Sequence, residues 1–257
     1  MRLSINAPAT KELGMIELLF DFHLILSRYL KNANYRMLTE SLVNRGDFVM
    51  LDNYDEKRKD ITDDETLIKD AIDLKVNEII VPDVLGDSKK TFENFERFSE
   101  KYALLLLKNN IHLVGVVHGK TVEEYLLAFQ QLFQYPHCAC LAIPDELGVY
   151  FAGGRMEFLS EIKRQNYDFK PIHMLGVWEN PIEIKNLARQ GIARSLDTTS
   201  PIWMALCGKY FSYKDGATGK LPKSNPDDYF LAKDTLNIRM MHNLGCAKRW
   251  SENNGKS

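Results

Sequence analysis

Between Pro171 and Pro201 the chain reads PIHMLGVWENPIEIKNLARQGIARSLDTTSP, a stretch that few folds can accommodate. Ile172 to Val177 is a short apolar run with Gly176 near its end. Pro181 to Gln190 has helical spacing, with Ile182, Ile184, Leu187 and Ala188 on one face. Gly191 stops that helix, and Ile192 to Leu196 is a second short strand. A strand, a crossover helix and a strand within about thirty residues make a βαβ unit, and such units build parallel sheets. Asp197 comes where the second strand runs out, followed by Thr198, Thr199 and Ser200. The C-terminal ends of parallel strands are where α/β enzymes carry their chemistry.

The rest of the chain repeats that alternation. Arg2 to Asn6 alternates as an opening strand, and Leu13 to Leu30 has a strongly apolar helical pattern. Strands are expected at Phe48 to Leu51, Glu78 to Val81, Ile111 to Val117 and Cys138 to Ile143. Helices are expected at Asp63 to Leu74, Thr91 to Asn109, Thr121 to Phe133 and Met156 to Gln165. Thr62 or Asp63 can cap the first of these, and Thr121 with Glu124 has the spacing of a capping box. The pattern fits a (β/α)8 TIM barrel, which typically needs about 250 residues; this chain has 257. A doubly wound open sheet is the competing fold. The eighth strand is the weak point, with Lys209 to Tyr213 or Leu236 to Met241 as candidates. Nothing in the composition marks a linker, so residues 1–250 read as one catalytic domain and 251–257 as a polar, disordered tail. Lys214 to Pro226 reads as a loop.

Composition narrows the partners. A formal net charge of −2 announces no nucleic-acid partner, although a local basic surface remains open. Four cysteines, in or near apolar runs, suit reduced thiols in a cytoplasmic protein. No signal peptide and no membrane-spanning stretch is expected. Gly153-Gly154 precedes a helix but lacks the context of a phosphate-binding loop, so no nucleotide cofactor is implied.

Several strands end on a residue able to do chemistry: Asp52, Asp83, His118, Asp145 or Glu146, and Asp197. In a barrel these ends converge on one mouth. Each alone is equally explained as a cap for the following helix. Two carboxylates facing one another suit glycosidic chemistry, with one acting as acid or base and the other as nucleophile.

LGVWENPIEIKNLARQGIARSLDTTSP resembles a segment of the tRNA-guanine transglycosylase superfamily whose F-D element carries the nucleophile. Asp197, in Ser195-Leu196-Asp197, stands at that position. Leu141-Ala142-Ile143-Pro144 resembles the family's L-A-V-G element, and Val116-Val117-His118-Gly119 its V-Q-G-G element. Val81-Pro82-Asp83 falls where the family binds the base. Leu51-Asp52-Asn53 falls at the family's D-S-G element, whose aspartate is the general acid/base. The ordered set covers about residues 48 to 201. His118 departs from a glutamine, Pro144 from a glycine and Asn53 from a serine. The family's zinc motif C-x-C-x-x-C is not found, and Cys138-x-Cys140 lies before the nucleophile rather than after it. His242 resembles only the histidine end of that motif, so no metal is expected.

That pattern is closest to the DNA-modifying branch of the family, often encoded by phages, which exchanges guanine in DNA for a 7-deazaguanine such as preQ0 or preQ1. The resemblance implies catalysis by Asp197 and Asp52, and substrate binding by Asp83, His118, Gly119, Pro144, Gly176 and Asn53. It implies DNA as partner, with tRNA as the alternative, and a homodimer as an option. Lys57, Arg58, Lys59, Lys209, Lys214, Lys220 and Lys223 are candidates for phosphate contacts. Trp178, Tyr150 and Phe151 are candidates for stacking on a base, or for ordinary packing. An unrelated barrel hydrolase is a further alternative, as is a non-catalytic subunit that pairs with an active transglycosylase and binds nucleic acid, a class that loses the nucleophile whereas Asp197 is present here. A barrel aldolase would need a lysine at a strand end, which is not found.

Overall fold

The computed structural model describes residues 1–8, 14, 16–53, 63–167, 169–177, 180–212, 216–217 and 236–252. Eight strands form a single sheet in which every paired neighbour is parallel: β1 (Arg2–Ile5), β2 (Phe22–Leu26), β3 (Phe48–Asp52), β4 (Glu78–Ile80), β5 (His112–Val116), β6 (Cys138–Ile143), β7 (Ile172–Met174) and β8 (Ser195–Thr198). The order runs β1-β8-β7-β6-β5-β4-β3-β2, so the last strand returns to the first and the sheet curls into a nearly closed (β/α)8 barrel.

Helices ring it. They are α1 (Ala33–Arg45), α2 (Asp64–Leu74), α3 (Ser88–Lys108), α4 (Val122–Gln134), the short α5 (Leu147–Tyr150), α6 (Gly154–Arg164), α7 (Ile182–Gln190), α8 (Ser200–Leu206) and, after a small antiparallel pair of β9 (Phe211–Ser212) and β10 (Gly216–Ala217), α9 (Ile238–Glu252). Their starts follow local chemistry. Asn32, Asp63, Asp87 and Thr121 each accept a backbone N–H of the helix they precede. Glu124 reaches back to the Lys120 amide. α1 ends at Gly46 and α7 at Gly191, both with positive φ.

Apolar side chains divide into two sets. The larger lies between sheet and helices and includes Phe95, Phe98, Phe129, Phe158 and Trp250. The smaller fills the barrel itself, with Phe22, Leu24 and Leu26 of β2, Met50 of β3, Ile80 of β4, Val114 and Val116 of β5, and Cys140 and Ala142 of β6. Alternation along each strand decides which set a residue joins.

Four expectations from sequence are corrected. The apolar run Leu13 to Leu30 is not one helix: it holds a 3-10 turn at Glu17–Leu19, strand β2, and a second 3-10 turn at Ser27–Lys31. All five residues of β2 are buried, one face inside the barrel and the other under helices, so period-2 alternation is erased. β2 is therefore the strand that was missing, and neither candidate for the eighth strand supplies it. Phe211–Ser212 belongs to the small hairpin and Leu236 to Met241 leads into α9. Finally, the 251–257 tail starts too early. Ser251 lies in α9, is buried, and accepts a hydrogen bond from the Met1 amine through its carbonyl; residues 253–257 lie outside the described residues.

The barrel has a seam. β1 and β2 sit side by side but share no backbone ladder. Side chains satisfy the backbone there instead. The Leu24 amide donates to Ser4 Oγ at 2.8 Å, the Leu26 amide to Tyr35 Oη at 3.1 Å, and the Ala7 amide to the Glu17 carboxyl. Burial pushes the Glu17 carboxyl up to about 8, with the Ala7 amide pulling the other way.

Candidate active site

Strand β8 carries Ser195 and Asp197 two residues apart, so both face into the barrel. Asp197 is the third of four strand residues rather than the residue beyond the strand. It is paired in register with Ser4 of β1. Asp197 is 7 % exposed, and its carboxylate is met by three groups, one just past β1 and two at or just past β7. Asn6 Nδ2 donates to Oδ2 at 2.9 Å, the Gly176 amide donates to Oδ1 at 3.0 Å, and His173 Nε2 lies 3.2 Å from Oδ1. None of these groups carries a fixed charge. They aim the carboxylate without cancelling it.

The Gly176 donor is itself supported. Gly176 has φ +63°, which favours glycine at the bend after β7. The peptide that provides its N–H has its carbonyl on Leu175, and that carbonyl accepts from Arg155 at 2.6 Å. The Arg155 guanidinium, buried at 3 % exposure, also bonds the Gly176 carbonyl and Glu183. A cation thus polarises the peptide that holds Asp197, from the opposite edge of that peptide. Asp145, just past the end of β6, lies 3.3 Å from the same guanidinium.

Asp52 closes β3 and is buried, in register with Leu26 of β2. Asn53 follows it; its buried Nδ2 has no partner among the described residues. On the neighbouring side of the barrel, His118 is 2 % exposed just beyond β5. Its Nε2 lies 2.5 Å from Asp83 Oδ2, while its Nδ1 is buried with no partner among the described residues. Buried polar atoms of this kind carry a cost unless something completes them. Pro144 ends β6, and its carbonyl accepts from the Leu147 amide to start α5. For Gly119 the structure supplies a packing reason: a Cβ there would lie 2.8 Å from the Tyr125 amide nitrogen.

The strand-end residues therefore gather as expected: Asp52, Asp83, His118 and Asp197 all sit at the C-terminal ends of the barrel strands or just past them, where the mouth is. Of the stacking candidates, Phe151 packs on Phe158 in the core, and the half-exposed Tyr150 lies against Tyr125. Trp178 and the basic residues Lys57, Arg58, Lys59, Lys214, Lys220 and Lys223 lie outside the described residues. Lys209 follows α8, and its carbonyl is held by Asn243.

Sequence reasoning passed over Asn6, His173, Ser195 and Arg155. Asn6 had a usable signal, as a polar residue closing an alternating strand. His173 and Ser195 did too, as polar residues inside otherwise apolar strands. Arg155 gave none, because an arginine in a helix's first turn reads as solvated surface.

Fold and site together define a (β/α)8 barrel whose mouth holds an oriented, buried aspartate among further carboxylates. Comparison of the chain with models of known protein families and with curated protein sequences gives no match. Among the described residues no three His, Cys, Asp or Glu side chains converge as a metal site. Cys138 and Cys140 are free thiols in β6, and Cys246 lies 3.6 Å from His242 in α9. Among the same residues no helix is long and apolar enough to cross a membrane.

Proposed function

We propose that this protein is a guanine transglycosylase that exchanges guanine in DNA for a 7-deazaguanine base through a covalent glycosyl-aspartate. The observation that carries this reading is the Asp197 carboxylate, fixed by neutral donors at a barrel mouth that also receives Asp52. A nucleophilic carboxylate needs its charge kept and its direction set, and this arrangement does both.

In this reading a deoxyguanosine is flipped out of the duplex, because its C1′ cannot be reached in the stack. Asp197 attacks C1′. The C1′–N9 bond breaks, and N9 takes the electron pair and a proton from Asp52. The incoming 7-deazaguanine gives its N9 proton to Asp52 and attacks C1′, and the ester bond breaks back to the carboxylate. Asp83 and His118 hold the base edge, and His118 Nδ1 and Asn53 Nδ2, which have no partner among the described residues, are completed by ligand atoms. The ester preserves the energy of the glycosidic bond, so no nucleotide cofactor is required.

The test is a base-exchange assay. Duplex DNA or tRNA with labelled guanine is incubated with protein and preQ0 or preQ1, and the nucleosides are read by mass spectrometry. A deazaguanine deoxynucleoside that depends on Asp197 is the expected product. Exchange in tRNA alone would move the activity to RNA. No exchange in either polymer, with no adduct trapped on Asp197, would overturn the reading.

A further inference from the structure

His173 is wholly buried inside the barrel, on β7, and each of its ring nitrogens meets one inward side chain of β8. Nδ1 lies 2.9 Å from Ser195 Oγ and Nε2 3.2 Å from Asp197 Oδ1. A serine hydroxyl can donate or accept, so it satisfies either tautomer. A carboxylate can only accept, so Nε2 carries the proton whenever Asp197 is ionised. The one alternative is a protonated Asp197 that donates to a bare Nε2, which would leave no nucleophile.

The donors on Asp197 are also unequal. Oδ1 receives two, the His173 ring N–H and the Gly176 amide that Arg155 polarises from behind. Oδ2 receives one, from Asn6. The oxygen with fewer donors keeps more of its lone-pair density for a new bond. The oxygen with two donors is suited to be the carbonyl of an ester, where it gains charge again as the ester breaks.

We infer that His173 is a positioning residue: by keeping its proton on Nε2 it donates to Asp197 Oδ1, reserves that oxygen as the ester carbonyl, and leaves Oδ2 to form the bond to C1′. The part that concerns bond formation rests on the transglycosylase reading, whereas the placement of the proton does not. In the proposed reaction Oδ2 forms the C1′–O bond as the C1′–N9 bond breaks. In the second half the C1′–O bond returns its pair to Asp197. The His173 proton stays on nitrogen throughout.

Two experiments test this. The first is nitrogen NMR on protein labelled at its six histidines, with the His173 signals assigned by their loss in His173→Gln. A protonated Nε2 is expected, and its signal should shift in Asp197→Asn. A bare Nε2 would overturn the inference whatever the enzyme does. The second is kinetic. His173→Phe should lower kcat about 10²-fold with KM little changed, and His173→Gln, whose amide can reach the same oxygen, should recover most of it. The ester carbonyl stretch of the trapped adduct should rise in frequency in His173→Phe. Unchanged kcat, or an unshifted carbonyl band, would overturn the role assigned to Oδ1. If His173→Phe fails to fold, His173→Gln and the NMR readout still decide. A wild-type protein that shows protonated Nε2 but no base exchange would sink the transglycosylase reading and leave the proton placement standing.

Discussion

At the base of the barrel Glu78 opens β4 and meets Arg194 in a two-pronged contact of 2.7 and 2.6 Å. The guanidinium rests 5.1 Å from the centre of the Phe48 ring, whose surroundings also include Arg2. At the mouth Asp197 is also buried, yet it meets an amide side chain, an imidazole and a backbone N–H. The base cancels its charge and the mouth preserves it. A paired buried carboxylate is structural, because its field is neutralised and its lone pairs are spent on a cation. A carboxylate held by neutral dipoles keeps its negative charge where a ligand can meet it. Even the guanidinium near the mouth follows the rule. Arg155 spends its charge on Glu183 and on carbonyl oxygens and reaches Asp197 only through a peptide group.

Substitutions at the two ends should separate function from stability. Asp197→Ala should abolish base exchange, by about 10⁴-fold or more, with a thermal midpoint close to wild type. A large loss of stability with activity retained would break the contrast. Asp52→Asn should slow the same reaction by about 10²- to 10⁴-fold through loss of proton transfer. Single-turnover measurements would show slower release of guanine, and a leaving group of lower basicity should recover part of the rate. Arg194→Met works the other end. It leaves Glu78 buried and unpaired, and should cost about 3 kcal/mol in denaturant unfolding, while the folded fraction keeps its kcat.

The smallest effect is at the seam. The Glu17 carboxyl has an ordinary value of 4.5 and is raised to about 8 by burial. Below about pH 4.5 it is protonated whether the chain is folded or not. From there to about pH 8 the unfolded chain ionises while the folded one holds its proton, so stability falls as pH rises and then levels off. The slope is at most about 1.4 kcal/mol per pH unit. Glu17→Gln should flatten that slope in unfolding measured from pH 5 to 8.5. A slope unchanged by the substitution would show that the seam does not bury an acid. The neighbouring His23 is held below its usual value by burial, with Asp47 opposing, and contributes a slope of the opposite sign below about pH 6.5.

Much of this architecture was legible in the chain because it depends on near neighbours. Thr121 and Asp63 announce their helices through donors three residues away. Gly191 marks the end of α7, and the spacing of Ile184, Leu187 and Ala188 marks its buried face. Alternation of strands and helices gave the barrel, and the barrel gave the convergence of Asp52, Asp83, His118 and Asp197. Strand β2 was hidden because burial on both faces removes the alternation that identifies a strand. Only tertiary structure decided how Asp197 is held. Asn6 lies 191 positions from it in sequence, and becomes its neighbour because the first strand pairs with the last. The β7–β8 ladder sets the ring of His173 between Ser195 and Asp197, and the helix that joins β6 to β7 brings Arg155 behind the Gly176 peptide. Local pattern records which residues an element buries and where it stops. Which side chain completes another's hydrogen bonds is fixed only when the strands and helices pack together.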